Sequence, residues 1–333
     1  MAAEFVFILA HEKRRDLGMK KWSFLVLMAS MILLLAACGS KEESKTETTD
    51  AKPAAAEKMT IEHKYGEVEI DKNPEKVVVF DFGILDTLDE LGVEVTGVPQ
   101  ASIPAYLEKY AGEGYTNVGS LKEPDFEAIH AMQPDVIFIT TRQAELYEQF
   151  AEIAPTVYVE LDYTKYMESF EKNMNLVGEI FDKKDEVASA VEEIKATVEE
   201  VNKKASALDK KGLIVLANEG KVSAYGPSSR FGVIHDVFGF GAADEKIEVS
   251  THGQSITMEY IMETNPDVLF VIDRNTAVGG EAGAEKVIEN ELVKKTTAFK
   301  ENKIIYLDPD AWYLSGGGLQ SVKLMAEEIE AAL

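Results

Sequence analysis

The sequence predicts an α/β fold: two similar α/β lobes joined by a long rigid helix, with a ligand cleft between the lobes. Three observations carry that expectation: an internal repeat, apolar strand-like runs on both sides of the chain's middle, and one long amphipathic helix separating them. In the repeat, Glu127-Ala128-Ile129 leads through Gln133-Pro134-Asp135-Val136 to Arg142, and Glu259-Tyr260-Ile261 leads through Asn265-Pro266-Asp267-Val268 to Arg274. Each copy reads as a short helix, a Pro-Asp turn and a buried strand, because the residue before proline leaves the helical region and the run behind it is apolar and β-branched. The arginine falls just past the strand's carboxyl end, where open α/β sheets present their ligand-facing loops.

Taken from the amino terminus, residues 1–18 fit neither a signal nor a domain, and translation is expected to begin at Met19. Residues 19–37 have a basic start at Lys20-Lys21, an apolar run from 22 to 37 and small residues at its end, the pattern of a secretory signal. The boundary Leu35-Ala36-Ala37-Cys38 has the form of a lipobox, in which Cys38 is acylated and becomes the new amino terminus. Cys38 is the chain's single cysteine, so no disulfide partner competes for it within the chain. A 16-residue apolar run is also short for a membrane span. Residues 38–58, rich in Ser, Thr, Glu, Lys and Ala, cannot bury enough apolar surface to offset their ordering entropy and read as a flexible tether.

Residues 59–182 read as the first lobe. Residues 60–70 alternate as a hairpin around Tyr65-Gly66, and 77–80 form a buried strand. Asp81-Phe82-Gly83 then turns the chain into a helix through Ile84, Leu85, Leu88 and Leu91, closed by Gly92. Strands at Val136 and over 156–160 complete the alternation. In residues 183–208, Val187, Val191, Ile194, Val198, Val201, Ala205 and Leu208 step by four and three, an apolar stripe on a charged rod. Residues 209–333, the second lobe, answer with strands over 213–217, 222–225, from Val268, and over 303–307, and with a final helix from Leu319.

From Cys38 onward the chain holds 29 basic against 56 acidic residues, a formal charge of −27, which makes nucleic acid and anionic membrane surfaces poor partners. Only five of the 34 basic residues are arginine, and Arg14 and Arg15 lie upstream of Cys38. The remaining three, Arg142, Arg230 and Arg274, each follow a strand-like run. Planar, permanently charged forks suit carboxylate or catecholate oxygens. Trp312 and Tyr313, which precede the Gly316-Gly317-Gly318 turn, are expected at the cleft rim with Tyr225 and Phe231 near Arg230, core packing being the alternative for the last two. Phe82, Thr141 and Gln254 complete the candidate set.

Other chemistry finds little footing. His63, His130, His235 and His252 have no paired spacing, so no directly bound metal is expected. Ser315-Gly316-Gly317-Gly318 lacks the Lys-Ser/Thr of a phosphate loop. No Ser-His-Asp assignment follows from the sequence.

The runs KNPEKVVVFDFGILDTLDELGV, YGPSSRFG, STHGQSI and WYLSGGG, with the lipobox, resemble the helix-linked substrate-binding lipoproteins of ABC importers for ferric siderophores and cobalamin. The resemblance covers residues 60–333 and is greatest to the petrobactin-binding lipoproteins of Gram-positive bacteria. It implies a shallow cleft in which arginines and aromatics hold a ferric complex, without catalysis or a cofactor, the iron entering only inside the siderophore. It also implies a monomer anchored by lipid to the outer face of the cytoplasmic membrane. Glu127 and Glu259 match the positions at which that family docks onto permease arginines. Haem and cobalamin remain rival ligands, and an extracellular enzyme is the alternative class. Haem would want a Tyr or His axial ligand and cobalamin a less cationic cleft, whereas three arginines favour a polyanion such as a ferric catecholate or a mixed catecholate and citrate complex.

Overall fold

The computed structural model describes residues 57–281 and 283–333. The signal, the lipobox at Cys38 and nearly all of the tether lie outside the described residues.

In the first lobe, β1 (Lys58–His63) and β2 (Gly66–Asp71) pair antiparallel around the Tyr65-Gly66 turn. The hairpin lies against a sheet built from β3 (Val77–Val79), β4 (Gly97–Val98), β5 (Thr116–Asn117), β6 (Val136–Ile139) and β7 (Thr156–Tyr158), with α1 (Phe82–Glu90), α2 (Phe126–Met132) and α3 (Tyr147–Ala151) in the connections. Its order is β5-β4-β3-β6-β7 and every pairing is parallel. Strands β3, β6 and β7 are buried at every residue, which is why they read as unbroken apolar runs. Helix α1 starts where it does because the Asp81 side chain accepts from the Ile84 amide at 2.8 Å.

Helices α4 (Tyr166–Ile180) and α5 (Lys184–Ala207) follow, and then the second lobe. There β8 (Lys211–Asn218), β9 (Lys221–Tyr225), β10 (Gly241–Ala242), β11 (Gln254–Ile256), β12 (Val268–Asp273) and β13 (Ile304–Leu307) form one sheet. Its connections carry α6 (Val233–Asp236), α7 (Met258–Thr264), α8 (Arg274–Ala277), α9 (Ala284–Ile288) and α10 (Thr297–Lys300). The order β11-β9-β8-β12-β13 is mixed: β8, β12 and β13 run parallel, while β9 is antiparallel to both β8 and β11. A π-helical segment, Asp310–Ser315, leads into α11 (Leu319–Ala332).

The repeat has a common local cause. Helices α2 and α7 both end on a left-handed residue, Gln133 at φ 49° and Asn265 at φ 46°. Proline then prevents continuation, and the aspartate after it ties the turn to the neighbouring strand. Asp135 accepts from the Lys76 amide at 2.8 Å, and Asp267 from the Lys211 amide at 2.9 Å.

Helix α5 spans 24 residues, about 36 Å at 1.5 Å per residue. It buries Val187, Val191, Ile194, Val198, Val201 and Ala205, six of the seven stripe positions. Leu208 instead caps the helix and is 38% exposed, because the chain turns away through Asp209 at φ 50°. The helix packs on α4 and α11, and α11 packs in turn on α1 of the first lobe. One continuous apolar core therefore includes side chains of both lobes, such as Leu85, Val198, Ile214 and Met325. A shared core of this kind restricts the wide hinge motion that independent domains show.

Candidate anion-binding site

Two of the three arginines arrive as the repeat predicts. Arg142 sits in the 3₁₀ turn Thr141–Leu146 directly behind β6, and Arg274 is the first residue of α8, directly behind β12. Arg230 takes another route. Strand β9 runs antiparallel to β8, and the compact turn after it carries the guanidinium back. That turn is closed by Ser229 Oγ donating to the Gly226 carbonyl and by the Ser228 amide donating to Asp236, with Ser228 at φ 61°.

All three converge on Tyr313. Arg142 donates from Nη2 to the Tyr313 carbonyl at 2.6 Å and from Nη1 to the Leu314 carbonyl at 3.2 Å. Arg230 donates to the same Tyr313 carbonyl at 2.6 Å, with its guanidinium 4.3 Å from the centre of the Tyr313 ring. Arg274 donates from Nε to the Tyr313 hydroxyl at 3.0 Å and from Nη1 to Asn218 Oδ1 at 2.9 Å. Tyr313 lies in the π-helical segment, which ends on Gly316 at φ 61°. Such segments recur at functional sites.

The cluster is cationic in excess: Asp81 is the carboxylate whose charge acts on Arg142, and the three guanidinium groups outnumber it. Among the described residues no ion pair involves an arginine, and every cation in the pairs is a lysine. The three guanidinium groups are half-buried and face neutral acceptors. Burial lowers the pKa of Arg142, the Arg230 charge lowers it further, and Asp81 opposes both. Burial raises the Tyr313 hydroxyl, but the charges of Arg230 and Arg274 outweigh it and leave its pKa below the usual tyrosine value. Half-buried cations that repel one another are costly unless a partner arrives with several oxygens.

The remaining candidates divide. Phe231 lies beneath Arg230, 5.1 Å from its guanidinium, and Tyr225 meets Phe231 edge-on at 4.7 Å. Both rings are buried, and burial pushes the Tyr225 hydroxyl up to about 12. They form the floor of the cluster. Thr141 is exposed beside Arg142, its hydroxyl 3.4 Å from that of Tyr158. Gln254 accepts from the Glu248 amide at 2.9 Å and so closes its own loop. Phe82 is wholly buried in the core.

Trp312 is the clearest correction. Expected at the rim, it is 3% exposed, lies edge-on to Phe238 and donates from Nε1 to Glu328 at 2.6 Å. Consecutive residues of a helical turn point in different directions, so Trp312 enters the core while Tyr313 faces the arginines. Trp312→Phe is expected to lower unfolding free energy by about 1.5–3 kcal/mol, the range for a hydrogen bond to a charged group. Denaturant unfolding measures this, and unchanged stability would return Trp312 to the rim.

Sequence reasoning missed Asn218, Asp81 and the main-chain carbonyl of Tyr313. Asn218 ends β8 beside β12, one residue past the strand-like run 213–217, and in the sequence Asp81 reads only as part of the turn into α1. No side-chain pattern marks a carbonyl. Glu127 and Glu259 are both exposed, at the second positions of α2 and α7. Among the described residues no three His, Cys, Asp or Glu side chains are grouped as metal ligands.

The profile of the periplasmic binding protein family matches residues 77–311. The petrobactin-binding protein YclQ of Bacillus subtilis is 47% identical over 319 residues, covering 95% of this chain and 99% of that one. Its crystal structure superposes with a TM-score of 0.81 at 49% identity, over 83% of this chain and 98% of that one. The periplasmic catecholate-siderophore binding protein VctP of Vibrio cholerae superposes with a TM-score of 0.77 at 34% identity, over 83% of this chain and all of that one.

Proposed function

The chain belongs to the periplasmic binding protein family, and from that premise we propose that it is the extracellular binding lipoprotein of an ABC iron importer, capturing an anionic, petrobactin-like ferric siderophore. The observation that carries this reading is the convergence of Arg142, Arg230 and Arg274 on Tyr313, none of them in an ion pair among the described residues. Catecholate or citrate oxygens supply the missing charge, and Tyr313 with the Phe231 floor supplies an aromatic wall. Similarity to petrobactin-binding and catecholate-siderophore binding proteins supports the ligand class. The role is capture and delivery, not turnover. A titration of the protein with ferric petrobactin, followed by quenching of its own fluorescence, is expected to show saturable binding. Absence of saturation would refute the ligand class.

Delivery requires a membrane anchor and a docking face. Cys38 is the proposed lipid attachment point, so Cys38→Ser is expected to release the protein into the medium or leave unprocessed precursor. Cell fractionation and intact mass decide, and normal maturation with full membrane retention would contradict the anchor. Glu127 and Glu259 are the proposed docking pair. Their repeat-related places at the starts of α2 and α7 put one carboxylate on each lobe.

A further inference from the structure

The segment that carries Tyr313 belongs to the second lobe by sequence but is fastened to the first. The Ala105 amide donates to Asp310 at 2.7 Å, the Tyr106 hydroxyl reaches Ser315 Oγ at 2.6 Å, and the Tyr166 hydroxyl donates to the Gly316 carbonyl at 2.9 Å. The segment then enters α11, whose first amides point at α1. The Leu319 amide donates to Thr87 Oγ1 at 3.1 Å, and the Gln320 and Ser321 amides donate to the Asp86 carboxylate at 3.2 and 3.1 Å. The Tyr106 hydroxyl, 3.2 Å from Asp86 Oδ2, links the carboxylate back to Ser315.

Asp86 is fully buried, the one acidic residue in the buried set among the described residues. Burial pushes its pKa up to about 7, against the pull of its Ser321, Gln320 and Tyr106 donors. Backbone amides at a helix start are the partners that make such a carboxylate tolerable. The fit is also steric. A Cβ on Gly318 would run into Asp86 Oδ1 and the Gly83 carbonyl, and one on Gly83 would come within 2.9 Å of the Gly318 nitrogen. The glycine turn thus serves close approach of the two backbones. Helix α1 connects this contact to the arginines, for the charge of Arg142 acts on Asp81 at its start and Asp86 follows about 7.5 Å further along the axis.

We infer that Asp86 is a positioning residue of the ligand site: by capping α11 from the first lobe it fixes the 310–318 segment, and with it the placing of Tyr313 and the spacing of Arg142 against Arg230 and Arg274. Its relevance to binding rests on the proposed function, and its effect on lobe spacing does not. An asparagine at 86 keeps the shape but offers a single acceptor oxygen, leaving one buried amide without a partner.

The test uses the full chain with Cys38→Ser and spin labels on cysteines at the exposed positions Glu148 and Lys286, one on each lobe. Without ligand, the unmodified site is expected to show one narrow inter-label distance, and Asp86→Asn a broadened one. Asp86→Asn should also weaken ferric petrobactin binding about tenfold, the size of effect seen for residues that act through others. Val293→Ala opens a cavity in a second-lobe apolar cluster separate from the core shared by the lobes and controls for lost stability alone, with distance and affinity unchanged. Should Asp86→Asn fail to fold, Tyr106→Phe removes only the hydroxyl between Asp86 and Ser315 and should broaden the distance in the same direction. A narrow distance in the folded Asp86 variant, or in Tyr106→Phe where that variant decides, overturns the inference. If the distance broadens but neither the Asp86 nor the arginine variants lose affinity, the positioning stands and the ligand reading fails.

Discussion

Alanine at Arg142, Arg230 or Arg274 is expected to weaken binding of an anionic ferric siderophore by about ten- to a hundredfold each. A charge-assisted contact in a partly dry site is worth roughly 1.5–3 kcal/mol, and each 1.4 kcal/mol is about a factor of ten. Lysine should recover only part of the loss, since an ammonium keeps the charge but not the planar fork that reaches two oxygens at once. Arg142→Ala also frees the Tyr313 and Leu314 carbonyls that it now holds across the lobes. The change relieves the repulsion from Arg230 but also takes from Asp81 the cation that favours its carboxylate, so denaturant unfolding of the variant accompanies the titration. Titration of each variant with ferric petrobactin, with an uncharged ferric hydroxamate as control, separates charge recognition from general damage. Near-wild-type affinity in all three would sink the polyanion site.

Reversing both docking carboxylates, Glu127→Lys with Glu259→Lys, is expected to abolish siderophore-dependent iron uptake while leaving ligand affinity nearly intact. The proposed permease rim is basic, and like charges brought face to face across an interface cost several kcal/mol. Both side chains are exposed and hold no part of the arginine cluster, so folding and capture should survive. Uptake of labelled ferric siderophore by cells, alongside titration of the purified variant, gives the two readings. Normal uptake by the double variant would remove the docking assignment.

What could be read from the sequence was whatever is decided locally. The Gln133-Pro134-Asp135 and Asn265-Pro266-Asp267 turns fold alike because a left-handed cap, a proline and an amide-accepting aspartate act within a few residues. The stripe of α5 was legible for the same reason, as far as Ala205. Direction and long-range contact were not. Trp312 and Tyr313 are adjacent in sequence, yet one packs on Phe238 and the other receives three arginines. The antiparallel course of β9 depends on its pairing with β8 and β11, which no local pattern declares. Asp86 looked like one more acidic residue in an acidic chain. Only the return of α11 onto the first lobe gives its carboxylate two amides to hold.

An acidic protein that holds Arg142, Arg230 and Arg274 together, with no ion pair to them among the described residues, is built to take up an anionic ferric siderophore. The most direct measurement is a fluorescence-quenching titration of the wild-type protein against ferric petrobactin, a ferric tris-catecholate, an uncharged ferric hydroxamate, haem and cobalamin under one set of conditions. Saturable binding of the anionic ferric complexes is expected, tightest for ferric petrobactin, with much weaker binding of the rest. Equal or tighter binding of haem, cobalamin or the uncharged hydroxamate would contradict it.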